Sequence, residues 1–158
     1  MDRIYYVMGR IVERTQKMEE NLELVVKYSE ISREYERNPD MTAKDFKIAD
    51  DSAEYLRGKM ETMTLGQRIH IIIETRCFSR SEVDELKHAL EKRNYFVHDY
   101  FKLTPFDILS KEELEDEFNA LKAFYDSINQ LNKKIEVFKK SYTAECDKLY
   151  EKFGIKKS

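Results

Sequence analysis

Apolar residues recur at steps of three and four along most of this chain, the spacing of helices that bury one face. Ile4, Met8, Ile11, Thr15, Met18, Leu22 and Val25 alternate steps of four and three, a coiled-coil-like seam with roughly 3.5 residues per turn. The seam shifts register near Tyr28 and continues through Ile31 and Tyr35. It stops at Asn38-Pro39, because the residue before a proline is pushed out of helical backbone. Thr42 with Asp45 is expected to cap a second helix that buries Phe46, Ala49, Ala53, Leu56, Met60 and Met63. Thr64 and Gln67 make a capping box for a short third helix holding Leu65, Ile69 and Ile72. A turn at "RCFSRSE" follows, with Ser79 or Ser81 capping a fourth helix. After "KLTPFDILS", Ser110 and Glu113 form another capping box. Leu114, Phe118, Leu121, Tyr125, Ile128, Leu131, Ile135, Phe138, Tyr142, Leu149 and Phe153 then run at helical spacing to the end. A helix of about forty residues reaches about 60 Å, at roughly 1.5 Å per residue. The first helix is nearly as long, so the two are expected to lie antiparallel and frame the shorter ones. The expected fold is all-α: one domain over residues 1–158, an antiparallel bundle of four to five helices with long first and last members.

Composition agrees with the pattern. The 158 residues are 37% charged and include four Gly and two Pro, few of the breakers that a sheet-rich chain needs for its turns. A net charge of −3 argues against non-specific coating of nucleic acid, so contact with RNA would have to be local. Cys77 and Cys146 are too few for a disulfide framework and lack metal-ligand spacing. No carboxylate and histidine cluster has metal spacing, so no metal or other cofactor is expected. Charges interrupt the apolar positions of "MDRIYYVMGRIVER", unlike a signal peptide, and the longest apolar run, "IHIII", is too short to span a bilayer. A cytoplasmic protein without a membrane partner is the expectation.

One position breaks the pattern. In the fourth helix Leu86, Ala89, Leu90, Phe96 and Val97 form an apolar stripe, and Arg93 falls inside it. An unpaired guanidinium in a core is costly, but it is tolerable where the stripe faces a second subunit or a cleft that receives an anion. Asn94 and His98 share a face at a spacing of four, and the long Arg93 side chain can reach round toward the imidazole. A fixed cation, an amide and a titratable base around one point suit metal-free phosphoryl transfer on RNA. Histidine can take the proton of a ribose 2′-hydroxyl or give one to the leaving 5′-oxygen, while arginine binds the phosphate and stabilises the growing charge. One imidazole cannot be acid and base in the same step, so a homodimer with two motifs across a two-fold axis fills both roles.

These residues carry a resemblance. Arg93, the polar Asn94, three further positions and His98 are similar to the Arg-(four to six residues)-His motif of the HEPN superfamily, small helical bundles that include many metal-independent ribonucleases of toxin–antitoxin and antiviral defence systems. Tyr100, two residues after the histidine, extends the match to the Arg-x4-His-x-Tyr pattern of HEPN toxins paired with minimal nucleotidyltransferase antitoxins. The resemblance implies catalytic roles for Arg93 and His98 and a supporting role for Asn94. It also implies a homodimer, RNA as substrate, a nucleotidyltransferase-like antitoxin as candidate partner, and Tyr100 as a candidate acceptor of regulatory nucleotide transfer.

Arg76 and Arg80 flank the turn before the fourth helix and are candidate contacts to the RNA backbone. His70, among isoleucines, reads as an interior histidine, and His88 as solvent-facing. The lysines of "NKKIEVFKK" read as a solvated face. Two plainer readings stand beside the nuclease: a structural Arg93 paired with Glu91 or Asp99, and a non-catalytic helical module that uses the arginine to bind a nucleotide or a protein.

Overall fold

The computed structural model describes residues 1–157. Its order is α1 (Asp2–Arg37), α2 (Ala43–Met60), α3 (Leu65–Thr75), α4 (Arg80–His98), the single turn α5 (Tyr100–Leu103), a 3₁₀ turn (Phe106–Ile108) and α6 (Lys111–Phe153). Among the described residues there is no strand. The all-α bundle with long terminal helices is therefore the fold.

The starts and stops are local chemistry. Thr42, Thr64, Ser79 and Ser110 each accept the backbone N–H three residues on, and Asp45, Gln67, Glu82 and Glu113 reach back to the cap's own N–H. Each box satisfies two amides that the first helical turn leaves without partners. Ser79, rather than Ser81, caps α4. α6 ends at Gly154, whose φ of 64° is left-handed backbone, open at least cost to a residue without Cβ. The chain then turns so that Ile155 N–H donates to the Tyr150 carbonyl, and Ile155 packs against the core.

Consecutive long helices run antiparallel, but α1 and α6 do not. Arg3 meets Glu115 at 3.0 Å, Asn21 donates to Asn132 at 2.9 Å, and Lys152 donates to Tyr35 at 2.8 Å. Numbers on both helices rise together, so the framing helices are parallel, correcting the antiparallel expectation. The reason is parity: α1, α2, α3, α4 and α6 alternate in direction, and an odd number of alternating helices leaves the first and last pointing the same way. Buried Asn21 and Asn132 hold the register, since sliding either helix would strand two amides in the seam.

Two cores share this parallel pair. The larger joins the first two-thirds of α1 to α3, α4 and the first half of α6, around Ile11, Met18, Leu86, Leu90, Ile128 and Ile135. The smaller joins the ends of α1 and α6 to α2, with Phe46 stacked on Phe153 and edge-on to Tyr150. Of the expected core positions in α2, Phe46, Ala53 and Met60 are buried, while Ala49, Leu56 and Met63 are half-buried. Among the described residues no helix is long and apolar enough to cross a membrane.

Candidate functional site

α4 delivers Arg93, Asn94 and His98 near its last turns, where it crosses α1 and leads into α5. Arg93 is only half-buried, at the flank of the apolar stripe, and its partner comes from another helix. Its Nη2 donates to Glu19 of α1 at 2.9 Å, and its Nη1 donates to the Asn94 side-chain oxygen at 2.8 Å. The pairing with Glu91 or Asp99 is not made. Arg93 Nε is buried and has no hydrogen-bond partner among the described residues.

Glu19 divides its carboxylate between two cations: one oxygen takes Arg93 and the other takes Arg68 Nη1 of α3, also at 2.9 Å. Arg68 further donates to the carbonyls of Met60 and Glu61, which ties the α2–α3 turn to the same point. Behind it lies a second set of charges. Arg57 approaches Glu23 at 3.7 Å and grips Glu54, which also takes buried Lys27 at 2.6 Å. The fork of Arg57, with Lys27 behind it, holds the Glu54 carboxyl down to about 2. Burial, reinforced by Glu61, pushes the Glu23 carboxyl up. With Arg57, Lys27, Glu23, Glu54 and Glu61 beside it, the Arg68–Glu19–Arg93 trio belongs to a cluster of four cations and four carboxylates.

His98 is the last residue of α4, exposed, and makes no hydrogen bond or ion pair with the described residues. Several apolar side chains close to it in the chain are exposed. Val97 is 47% exposed, so the stripe does not run inward to that position as the sequence suggests. Tyr95, Phe101 and Leu103 are also exposed, and Phe101 stacks on exposed Tyr5 of α1 with ring centroids 5.0 Å apart.

Tyr100 points the other way. It is 3% exposed, its hydroxyl donates to Glu117 at 2.7 Å, and Phe96 and Phe106 pack on its ring. Burial first, and then Glu117, raise the phenol well above its ordinary range. In this conformation the Tyr100 hydroxyl, the candidate acceptor, is a buried hydrogen-bond donor.

The remaining positions lie elsewhere. Arg80 opens α4, and at about 1.5 Å per residue it sits roughly 20 Å along the helix from Arg93. Arg76, the C-cap of α3, lines a separate groove with Arg33 and Arg37. Neither joins the Arg93–His98 set. His70 is not interior: its side chain is 71% exposed and its Nε2 lies 3.1 Å from Glu74. α3 turns its isoleucines at positions 69 and 72 inward and places His70 between them, on the outside. His88 is exposed, as expected. Among the described residues no group of three or more His, Cys, Asp or Glu is placed to hold a metal ion. Sequence reasoning missed Glu19 and Arg68. Nothing near Arg93 signals either, and Glu19 is 74 residues away along the chain.

Compared with protein-family models, with curated proteins and with solved structures, the chain gives no match.

Proposed function

We propose that this protein is a metal-independent endoribonuclease of the HEPN type, a toxin or defence effector whose site is completed by a second copy. One observation carries the reading: Arg93, Asn94 and His98 share one end of α4, with the imidazole unpaired and exposed apolar side chains around it. An apolar rim of this kind suits burial against another copy. His98 then takes the proton of the 2′-hydroxyl, and the freed oxygen attacks the adjacent phosphorus. The 5′-oxygen departs with a proton from His98 of the second copy, leaving a cyclic phosphate and a 5′-hydroxyl end. Arg93 holds the phosphate.

The test is cleavage of structured RNA in EDTA. Activity should persist there and fall about 10²- to 10⁴-fold in both Arg93→Ala and His98→Ala. Val97→Asp combined with Phe101→Asp should convert a dimer to a monomer in sedimentation and remove cleavage with it. Intact RNA under all these conditions sinks the proposal.

The ion pair itself favours a second reading, a non-catalytic module that grips a nucleotide or a partner, because Glu19 already occupies one arm of Arg93. Binding that weakens in Arg93→Ala and ignores His98→Ala would select it.

A further inference from the structure

The α1–α6 seam carries a second polar cluster that the nuclease reading does not use. A groove of about 360 Å³ opens between the two helices, lined by Arg14, Asn129, Asn132, Lys133 and Glu136. Asn132 is 6% exposed and reaches the groove from the seam, where its side-chain oxygen is already taken by Asn21. Arg14 Nε is buried and has no hydrogen-bond partner, so this cation is held in the wall of the groove rather than waving in solvent.

One turn toward the N-termini, positive charge gathers beside a single oxygen. Arg10 Nη2 donates to the Tyr125 hydroxyl at 3.3 Å, and Asn129 and Arg14 lie close enough to lower its pKa. Asn129, followed by the two guanidiniums, brings the phenol down to about 8. A guanidinium donating to this neutral oxygen, with Arg14 and Asn129 beside it, suits an oxyanion better than a phenol. Glu13 partly neutralises Arg10 at 2.8 Å, which leaves Arg14 and exposed Lys133 as the main charges. Glu136, at the far end, is an acceptor for hydroxyl groups.

The cluster is separate from the end of α4. At roughly 100° per residue, Arg10 and Arg14 lie about 180° and 140° round α1 from Glu19, which faces α3 and α4.

We propose that this groove binds a phosphate ester the size of a mononucleotide. Arg14 and Lys133 hold the phosphate, Asn129 and Asn132 donate to its oxygens, and Glu136 accepts from the sugar hydroxyls. The volume fits, since small-molecule sites begin at about 300 Å³.

The experiment is calorimetric titration of the full chain with AMP, with inorganic phosphate and with adenosine. AMP should bind, inorganic phosphate more weakly, and adenosine not at all. Lys133→Ala, on an exposed side chain that cannot disturb folding, should weaken AMP severalfold, and Arg14→Gln about tenfold. Glu136→Gln should weaken AMP and leave inorganic phosphate unchanged, while His98→Ala should change nothing. Tyrosinate absorbance supplies an independent readout. The midpoint near 8 should disappear in Tyr125→Phe and move upward when AMP is bound, because the phosphate's negative charge opposes ionisation of the phenol. No binding of AMP at millimolar concentration, or equal binding by wild type and Lys133→Ala, overturns the proposal. So does inorganic phosphate binding as tightly as AMP.

Discussion

Glu19 holds two arginines with one carboxylate, and the three side chains are only 15%, 20% and 23% exposed. Exposed ion pairs are worth little, whereas removing one partner of a buried pair leaves a desolvated charge. This trio lies nearer the second case. Glu19→Ala should lower the unfolding free energy by about 2 kcal/mol, and adding Arg93→Ala should cost less than the sum of the two single changes. Urea denaturation of the four proteins checks this, and strict additivity would rule out the coupling. Buried phenols and a thiol set the pH behaviour. Burial, with Asp50 and Glu117 behind it, raises Tyr150 and Tyr100, and burial pushes the Cys146 thiol up to about 12. Folded values above the unfolded ones mean that the contribution is complete below the unfolded values, near 8.5 to 10, and is lost as pH rises toward the folded ones. The urea midpoint should therefore fall from about pH 10 upward, where the opposite contribution of Tyr125, whose phenol is lowered to about 8, is already complete. A flat midpoint to about pH 11 would contradict these burials.

At the scale of elements, the caps were legible because each is settled within four residues. The boxes at Thr42, Thr64, Ser79 and Ser110 need only a hydroxyl and a side-chain acceptor three positions later. Ser110→Ala should cost about 1 kcal/mol. The turn after α3 was placed at Arg76, but its left-handed backbone was not legible. Arg76 takes left-handed backbone there, with φ 55°, at a position that glycine fills more cheaply. Arg76→Gly should therefore raise stability by up to about 1 kcal/mol in thermal or urea unfolding. No gain would mean that the arginine's own contacts offset the strain. Val97 shows the limit of periodicity. It sits at the edge of the apolar arc, and whether an edge position is covered depends on a neighbour that the helix's own sequence does not contain.

At the scale of the molecule, the direction of α6 relative to α1 separates this bundle from the one the pattern first suggests. Spin labels introduced by R3C and E115C should lie close together, whereas labels at 3 and 153 should be separated by about the length of α6, roughly 60 Å. The reverse result would restore the antiparallel frame. The sequence by itself determined the helices, their caps, the all-α class and the unusual placement of Arg93 beside Asn94 and His98, because these follow from bonds and periodicities within a few turns. Only the tertiary structure decided that α1 and α6 are parallel, that Glu19 meets Arg93 and Arg68, that Tyr100 turns inward, and that Arg10 donates to Tyr125. Each of those depends on groups brought together across helices. Which face of one helix meets which face of another is set by packing the whole core at once, not by any local rule.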